Sequence, residues 1–239
     1  MEREYIRIRP PPPLPFDTRL LKTLDDEFWK NWVFYYLLDF YQNFDSAELK
    51  SKIEEEKKKQ YPRTEREIAK FIRLKLNANR EFGFHFSAKG EVTNDEDVEG
   101  NYDINIHSTH WKSKDFYFEC KNLDDSHDLT NKYVWYNTYK KDEANQNIFD
   151  GGVLRYFNGK YAQSLSFGGM IGFVLSGKNA TIKNNIFTKL NEKFNISPEG
   201  DLISITDNSI DGNNFTFDSK HKRLQQEFTI HHLLFDFTN

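Results

Sequence analysis

Residues 101–121 read NYDINIHSTHWKSKDFYFECK, and this stretch decides the fold. Tyr102, Ile104 and Ile106 alternate with Asp103 and Asn105, the period of a strand with Asp103 in its middle. After a polar connection at 108–114, DFYFECK (115–121) predicts another strand. Upstream, Phe82, Phe84 and Phe86 alternate with Gly83 and His85, which predicts a first strand, separated from the second by an acidic turn at 94–100. Together the three predict an antiparallel meander.

Working outward, TEREIAKFIRLKLNA (64–78) predicts a helix with Ile68, Phe71, Ile72 and Leu76 on its buried face. Thr64 suits its N-cap, with Glu67 at the capping-box position. Residues 47–60 predict a solvated helix or helical linker, and 25–44 an aromatic helix opened by Asp25 and Asp26. Pro10 to Pro13 read as an arm leading into the fold. Downstream, GGMIGFVLS (168–176) predicts a strand buried on both faces, and NATIKNNIFTKLNEKF (179–194) an amphipathic helix. NFTFDSKHKR and EFTIHHLLFDF predict two closing strands, with His231 and His232 on opposite faces. The expected class is α/β, a mixed β-sheet flanked by helices. Residues 1–62 are expected to form an N-terminal arm and helical extension, and residues 63–239 a single compact unit.

Composition narrows the function classes. A net charge of −4 argues against a simple basic nucleic-acid coat protein, while leaving room for a local cationic groove. Cys120 is the lone cysteine, so no intramolecular disulfide and no cysteine-rich zinc module can form. No apolar run reaches the ~18 residues a membrane span needs, so no membrane partner is expected. MEREYIRIRPPPPLP lacks the apolar core of a secretory signal, which predicts a cytoplasmic protein.

One group of residues stands out chemically. Strand alternation puts Glu119 and Lys121 on one face and Cys120 on the other. Were the two strands neighbours, Asp103 would join them, giving two carboxylates and an ammonium at a sheet edge. Core strands rarely carry two carboxylates on one face without a cation to neutralise them. Hard oxygen donors of this kind suit Mg²⁺ or Mn²⁺. A surface ion pair on an edge strand is the plain alternative.

Tyr102-Asp103 followed by Glu119-Cys120-Lys121, after a helix carrying an acidic residue, resembles the PD-(D/E)xK nuclease superfamily, with its restriction-endonuclease-like three-layer core. The resemblance covers roughly residues 64–176, and Tyr102 stands where the motif name has proline. It implies Asp103 and Glu119 as metal ligands, the Cys120 backbone carbonyl completing the shell, and Lys121 as the catalytic lysine. Of the acidic residues on the preceding helix, Glu65 lies on the core-facing side and is preferred to Glu67. The implied activity is metal-dependent hydrolysis of DNA, RNA second, in prokaryotic restriction or anti-phage defence. The implied partners are nucleic acid and either a second protein or a second copy of the chain. Alanine at Asp103, Glu119 or Lys121 is expected to abolish cleavage with the fold intact. Arg155, Lys160 and Arg223 are candidate phosphate contacts. The competing reading is a non-catalytic interaction subunit built on the same scaffold.

Overall fold

The structure, a computed structural model, describes residues 18–90, 92–93, 101–113, 115–135, 150–195 and 200–238. The proline arm at 10–13 and the acidic turn at 94–100 lie outside the described residues. The chain divides into two compact units, residues 1–92 with 103–117, and residues 93–102 with 118–239.

The first unit opens with α1 (Thr18–Leu21) and α2 (Asp26–Asn43). The Asp25 carboxylate caps α2 by accepting from the Phe28 N–H at 2.9 Å. Trp29, Val33 and Leu37 are fully buried, so α2 is a core helix rather than a surface one. In α3 (Ser46–Lys57) only Leu49, Ile53 and Glu56 are buried, as its dense charge requires. Then α4 (Thr64–Ala78) buries Ile68, Phe71, Ile72 and Leu76, the expected stripe. Its start differs from expectation. Arg63 is the N-cap and no side chain caps it, so Thr64 and Glu67 form no capping box. The Arg63 N–H is instead tied to Glu56 Oε1 of α3 at 2.8 Å.

The expected strand at 82–86 is a helix, α5 (Arg80–His85). Asn79 ends α4 and starts α5, its side chain accepting from the Glu81 and Phe82 N–H groups at 3.0 and 3.1 Å. Phe82 and Phe86 stack at 5.4 Å while Phe84 is 65% exposed. An alternation this short also contains an i, i+4 pair, and the cap decided between the two periods. The first strand, β1 (Ser87–Lys89), therefore begins later. Asn77 of α4 grips it, accepting from the Ala88 N–H at 2.9 Å and donating to the Ala88 carbonyl at 2.8 Å.

Next come β2 (Val92–Thr93) and β3 (Asn101–Tyr102), which form a separate two-stranded ribbon, then β4 (Ile104–His107), antiparallel to β1, and β5 (Asp115–Leu123). The second unit continues with α6 (His127–Val134), a short 3-10 turn at Val153–Tyr156, and β6 (Phe167–Val174), every residue of which is buried. It closes with α7 (Asn179–Phe194), β7 (Asp201–Asp207), β8 (Thr216–Arg223) and β9 (Gln226–Asp236). Seven strands form one mixed sheet in the order β1-β4-β5-β6-β9-β8-β7, flanked by helices. β6 runs parallel to β5 and β9, whereas β8 is antiparallel to β7 and β9. Gly169 of β6 is required by packing. A Cβ there would meet the Phe118 ring at 2.2 Å.

Polar side chains of β8 and β9 turn inward and satisfy one another. His221 Nδ1 lies 2.7 Å from the Gly200 carbonyl, which can only accept, so this nitrogen carries the proton. In neutral His221, Nε2 then accepts from Ser219 Oγ at 2.9 Å. Ser219 Oγ in turn accepts from His232 Nε2 at 2.8 Å, which leaves His232 Nδ1 to accept from Tyr133 at 2.9 Å. His231, on the other face, meets Asp218 at 2.8 Å.

Every donor in this buried chain points the same way, so protonating either histidine would set donor against donor. Burial pushes His221 down to about 4 and His232 well below the usual value of 6.5. Between pH 6.5 and about 4 the unfolded chain therefore binds protons that the folded chain refuses. Stability is expected to fall as pH falls through that window, by on the order of 1 kcal/mol per pH unit for each histidine. Urea denaturation at pH 7, 6 and 5 checks this, and a flat profile would contradict it.

Candidate functional site

The charged side chains that the sequence singled out on β5 meet in the second unit. Glu119 and Lys121 share a face, as alternation demands, and Lys121 Nζ lies 2.6 Å from Glu119 Oε1. The same ammonium donates to the Cys120 carbonyl at 2.8 Å. Glu119 is 1% exposed and fully engaged. Its Oε1 also accepts from Arg155 Nη1 at 2.8 Å, and its Oε2 from the Tyr161 hydroxyl at 2.8 Å.

Arg155 comes from the 3-10 turn and extends the cluster. Its Nη1 donates to the Tyr161 hydroxyl at 2.7 Å, and its Nε to Asp150 Oδ1 at 3.0 Å. Asp150 Oδ2 accepts from Lys160 at 2.9 Å. Burial alone would raise the Asp150 pKa, but the Lys160 hydrogen bond and the Arg155 and Lys160 charges outweigh it, so the carboxyl sits below its usual range. Burial alone would lower that of Arg155; Glu119, Tyr161 and Asp150 reverse this and hold it above its usual value. Both carboxylates are 1% exposed, whereas the Lys121, Arg155 and Lys160 side chains keep 17–19%. The carboxylates form a floor and the cations a rim.

Local structure explains these positions. Gly152, just before the turn, lies so close to α6 that a Cβ would meet the Tyr133 carbonyl at 2.1 Å. The loop after the turn is held at Ala162, a non-glycine residue at φ 52°. Its N–H donates to the Tyr102 hydroxyl at 2.7 Å. From the other side Arg223 donates to the carbonyls of Tyr156, Tyr161, Ala162 and Leu165. Such a left-handed backbone persists only where its surroundings impose it.

No family model, no curated protein and no solved structure matches this chain.

The structure thus brings together Glu119, the Cys120 carbonyl, Lys121, Arg155 and Lys160. Arg223 is 8% exposed and its guanidinium lies 3.8 Å from the Phe228 ring centroid, so it braces the loop from within rather than meeting a phosphate at the surface. Asp103 and Glu65 belong to the first unit. Asp103 occupies the bend between β3 and β4 instead of mid-strand, and Arg73 donates to its carbonyl. Glu65 is half-buried in the first turn of α4.

Two members of the cluster escaped the sequence reading, Asp150 and Tyr161. Their spacings from Arg155, five before and six after, fit no single helical or strand period together, and the only local signal is the Asp150-Gly151-Gly152 sequence. Among the described residues, no group of three or more His, Cys, Asp or Glu could by itself hold a metal ion, and no helix is long and apolar enough to cross a membrane.

Proposed function

We propose that the chain is a metal-dependent nuclease that hydrolyses phosphodiester bonds in DNA, in preference to RNA, and serves prokaryotic restriction or antiviral defence. One observation carries this reading. Glu119 Oε1 and the Cys120 carbonyl converge on a single cation, the Lys121 ammonium, at 2.6 and 2.8 Å. These are two of the three donors that the resemblance assigns to the metal, Asp103 being the third, and the ammonium occupies the position between the two. Two hard oxygen donors fit Mg²⁺ or Mn²⁺. Asp103 and Glu65 enter the proposal from the sequence alone.

A bound divalent ion would lower the pKa of a water and offset charge growing on the phosphoryl oxygen. Glu119 and the Cys120 carbonyl would hold it. Tyr161 fixes the Glu119 carboxylate plane through Oε2. Lys121, displaced from Glu119, keeps its charge at the reacting phosphate and orients the attacking water through Nζ. A protein partner or a second copy of the chain would complete the cationic cleft around the nucleic acid.

A non-catalytic interaction subunit is the second reading. Both oxygens of Glu119 and both of Asp150 already carry partners, so the cluster is complete without an ion. Calorimetric titration of Mn²⁺ and Mg²⁺ separates the two, alongside incubation with plasmid DNA and with RNA. The nuclease reading expects saturable binding and DNA cleavage, both lost in Glu119→Gln. Absence of binding and of cleavage at millimolar metal favours the interaction subunit.

A further inference from the structure

Arg155 is held more tightly than a salt bridge needs. Its Nε is committed to Asp150, and both N–H groups of Nη1 are committed, to Glu119 and Tyr161. Nη2 carries two further N–H groups with no hydrogen-bond partner among the described residues. The side chain keeps 19% of its surface exposed, on the rim above the carboxylate floor. A guanidinium has five donors in a rigid fork, and pinning three of them fixes where the other two point.

Asp150 adds a second effect. One of its oxygens holds Arg155 and the other holds Lys160 at 2.9 Å, so two cations share one carboxylate. Like charges that close are held together by the buried carboxylate, and an arriving anion relieves their repulsion further. An arrangement serving packing alone would gain nothing by keeping donors at the rim.

We infer that Arg155, through the two N–H groups of Nη2 and with Lys160 on the same Asp150 carboxylate, is a binding site for a phosphate oxygen, and that Asp150 and Tyr161 are the positioning residues that aim it. This rests on the nuclease reading for its substrate, the phosphodiester, but needs no metal. Asp150 acts through Arg155 and Lys160, not on the ligand.

The test uses the full chain in a metal chelator. A labelled DNA oligonucleotide is titrated at several salt concentrations, with inorganic phosphate as competitor. Wild-type protein is expected to bind, and Arg155→Gln to bind roughly 10-fold to 100-fold more weakly, as loss of a hydrogen bond to a charged group implies. The slope of log affinity against log salt should fall by about one for this variant. Arg155→Lys should not restore affinity, since an ammonium lacks the planar fork that holds Asp150, Glu119 and Tyr161 while presenting a separate pair of donors. Asp150→Asn should weaken binding and lower the salt slope, which a merely structural role would leave unchanged. Should Arg155→Gln fail to fold, Tyr161→Phe, which frees one N–H of Nη1, is expected to weaken binding several-fold.

Displacement by inorganic phosphate identifies an isolated phosphate site; resistance to it means that the nucleic-acid backbone is required. The proposal is overturned if wild-type protein does not bind, or if folded Arg155→Gln, or Tyr161→Phe in its place, keeps affinity and slope. Metal-free binding that depends on Arg155, without cleavage in Mg²⁺ or Mn²⁺, removes the nuclease reading and leaves the clamp. Cleavage that proceeds in Arg155→Gln with an unchanged KM removes the clamp and leaves the nuclease.

Discussion

Arg223→Ala is expected to lower the stability of the chain by about 3 kcal/mol or more, the scale for losing several hydrogen bonds from a buried charged group. The guanidinium serves the carbonyls of Tyr156, Tyr161, Ala162 and Leu165, and lies against Phe228. Removing it strands those carbonyls in a dry environment and opens a void beside the ring. Lysine should rescue little, because one ammonium cannot span four carbonyls along a loop. Urea denaturation reads the change, and a loss below about 1 kcal/mol would contradict this account. The same loop carries Lys160 and Tyr161, so metal and phosphate binding should weaken in any Arg223→Ala protein that still folds.

Glu119→Ala is the second large effect. It leaves the Lys121 and Arg155 charges facing an empty, buried position, and breaking such a pair typically costs about 3–5 kcal/mol. The expectation that alanine at this position spares the fold is therefore corrected. Glu119 is 1% exposed and anchors two cations and a phenol, so alanine would confound lost catalysis with lost folding. Glu119→Gln keeps an acceptor for Arg155 and removes the charge a divalent ion needs, which makes it the cleaner probe. Thermal melting of both variants beside wild type tests this, with alanine expected to melt well below glutamine. An alanine variant that melts with wild type would show that the cluster contributes nothing to stability.

What the sequence reveals here follows from which interactions are local. The helix at Asn179–Phe194 and the strand at 167–174 are legible because apolar spacing alone specifies them. Phe82, Phe84 and Phe86 mislead because five residues satisfy either period, and the Asn79 side chain settles the matter through bonds that no hydropathy pattern contains. β7 escapes because its register shifts between Leu202 and Ser204 and leaves Ile203 exposed, which blurs the alternation. Ser219, His221 and Arg223 look like surface polarity, yet all three face inward, each satisfied by a partner distant in sequence or on a neighbouring strand. The Glu119–Lys121 pair was readable from strand alternation. Asp150 and Tyr161 were not, since they reach the cluster through a loop whose path depends on Gly152, Tyr102 and Arg223.

The Asn77 side chain has a consequence for how copies of this protein behave when concentrated. A sheet margin normally offers open amides and carbonyls on which a foreign strand can dock and begin a fibril. At Ala88 both groups are already answered by a carboxamide that imitates a peptide bond. The margin is sealed by one side chain, and self-templated growth from that side finds no foothold at its middle residue.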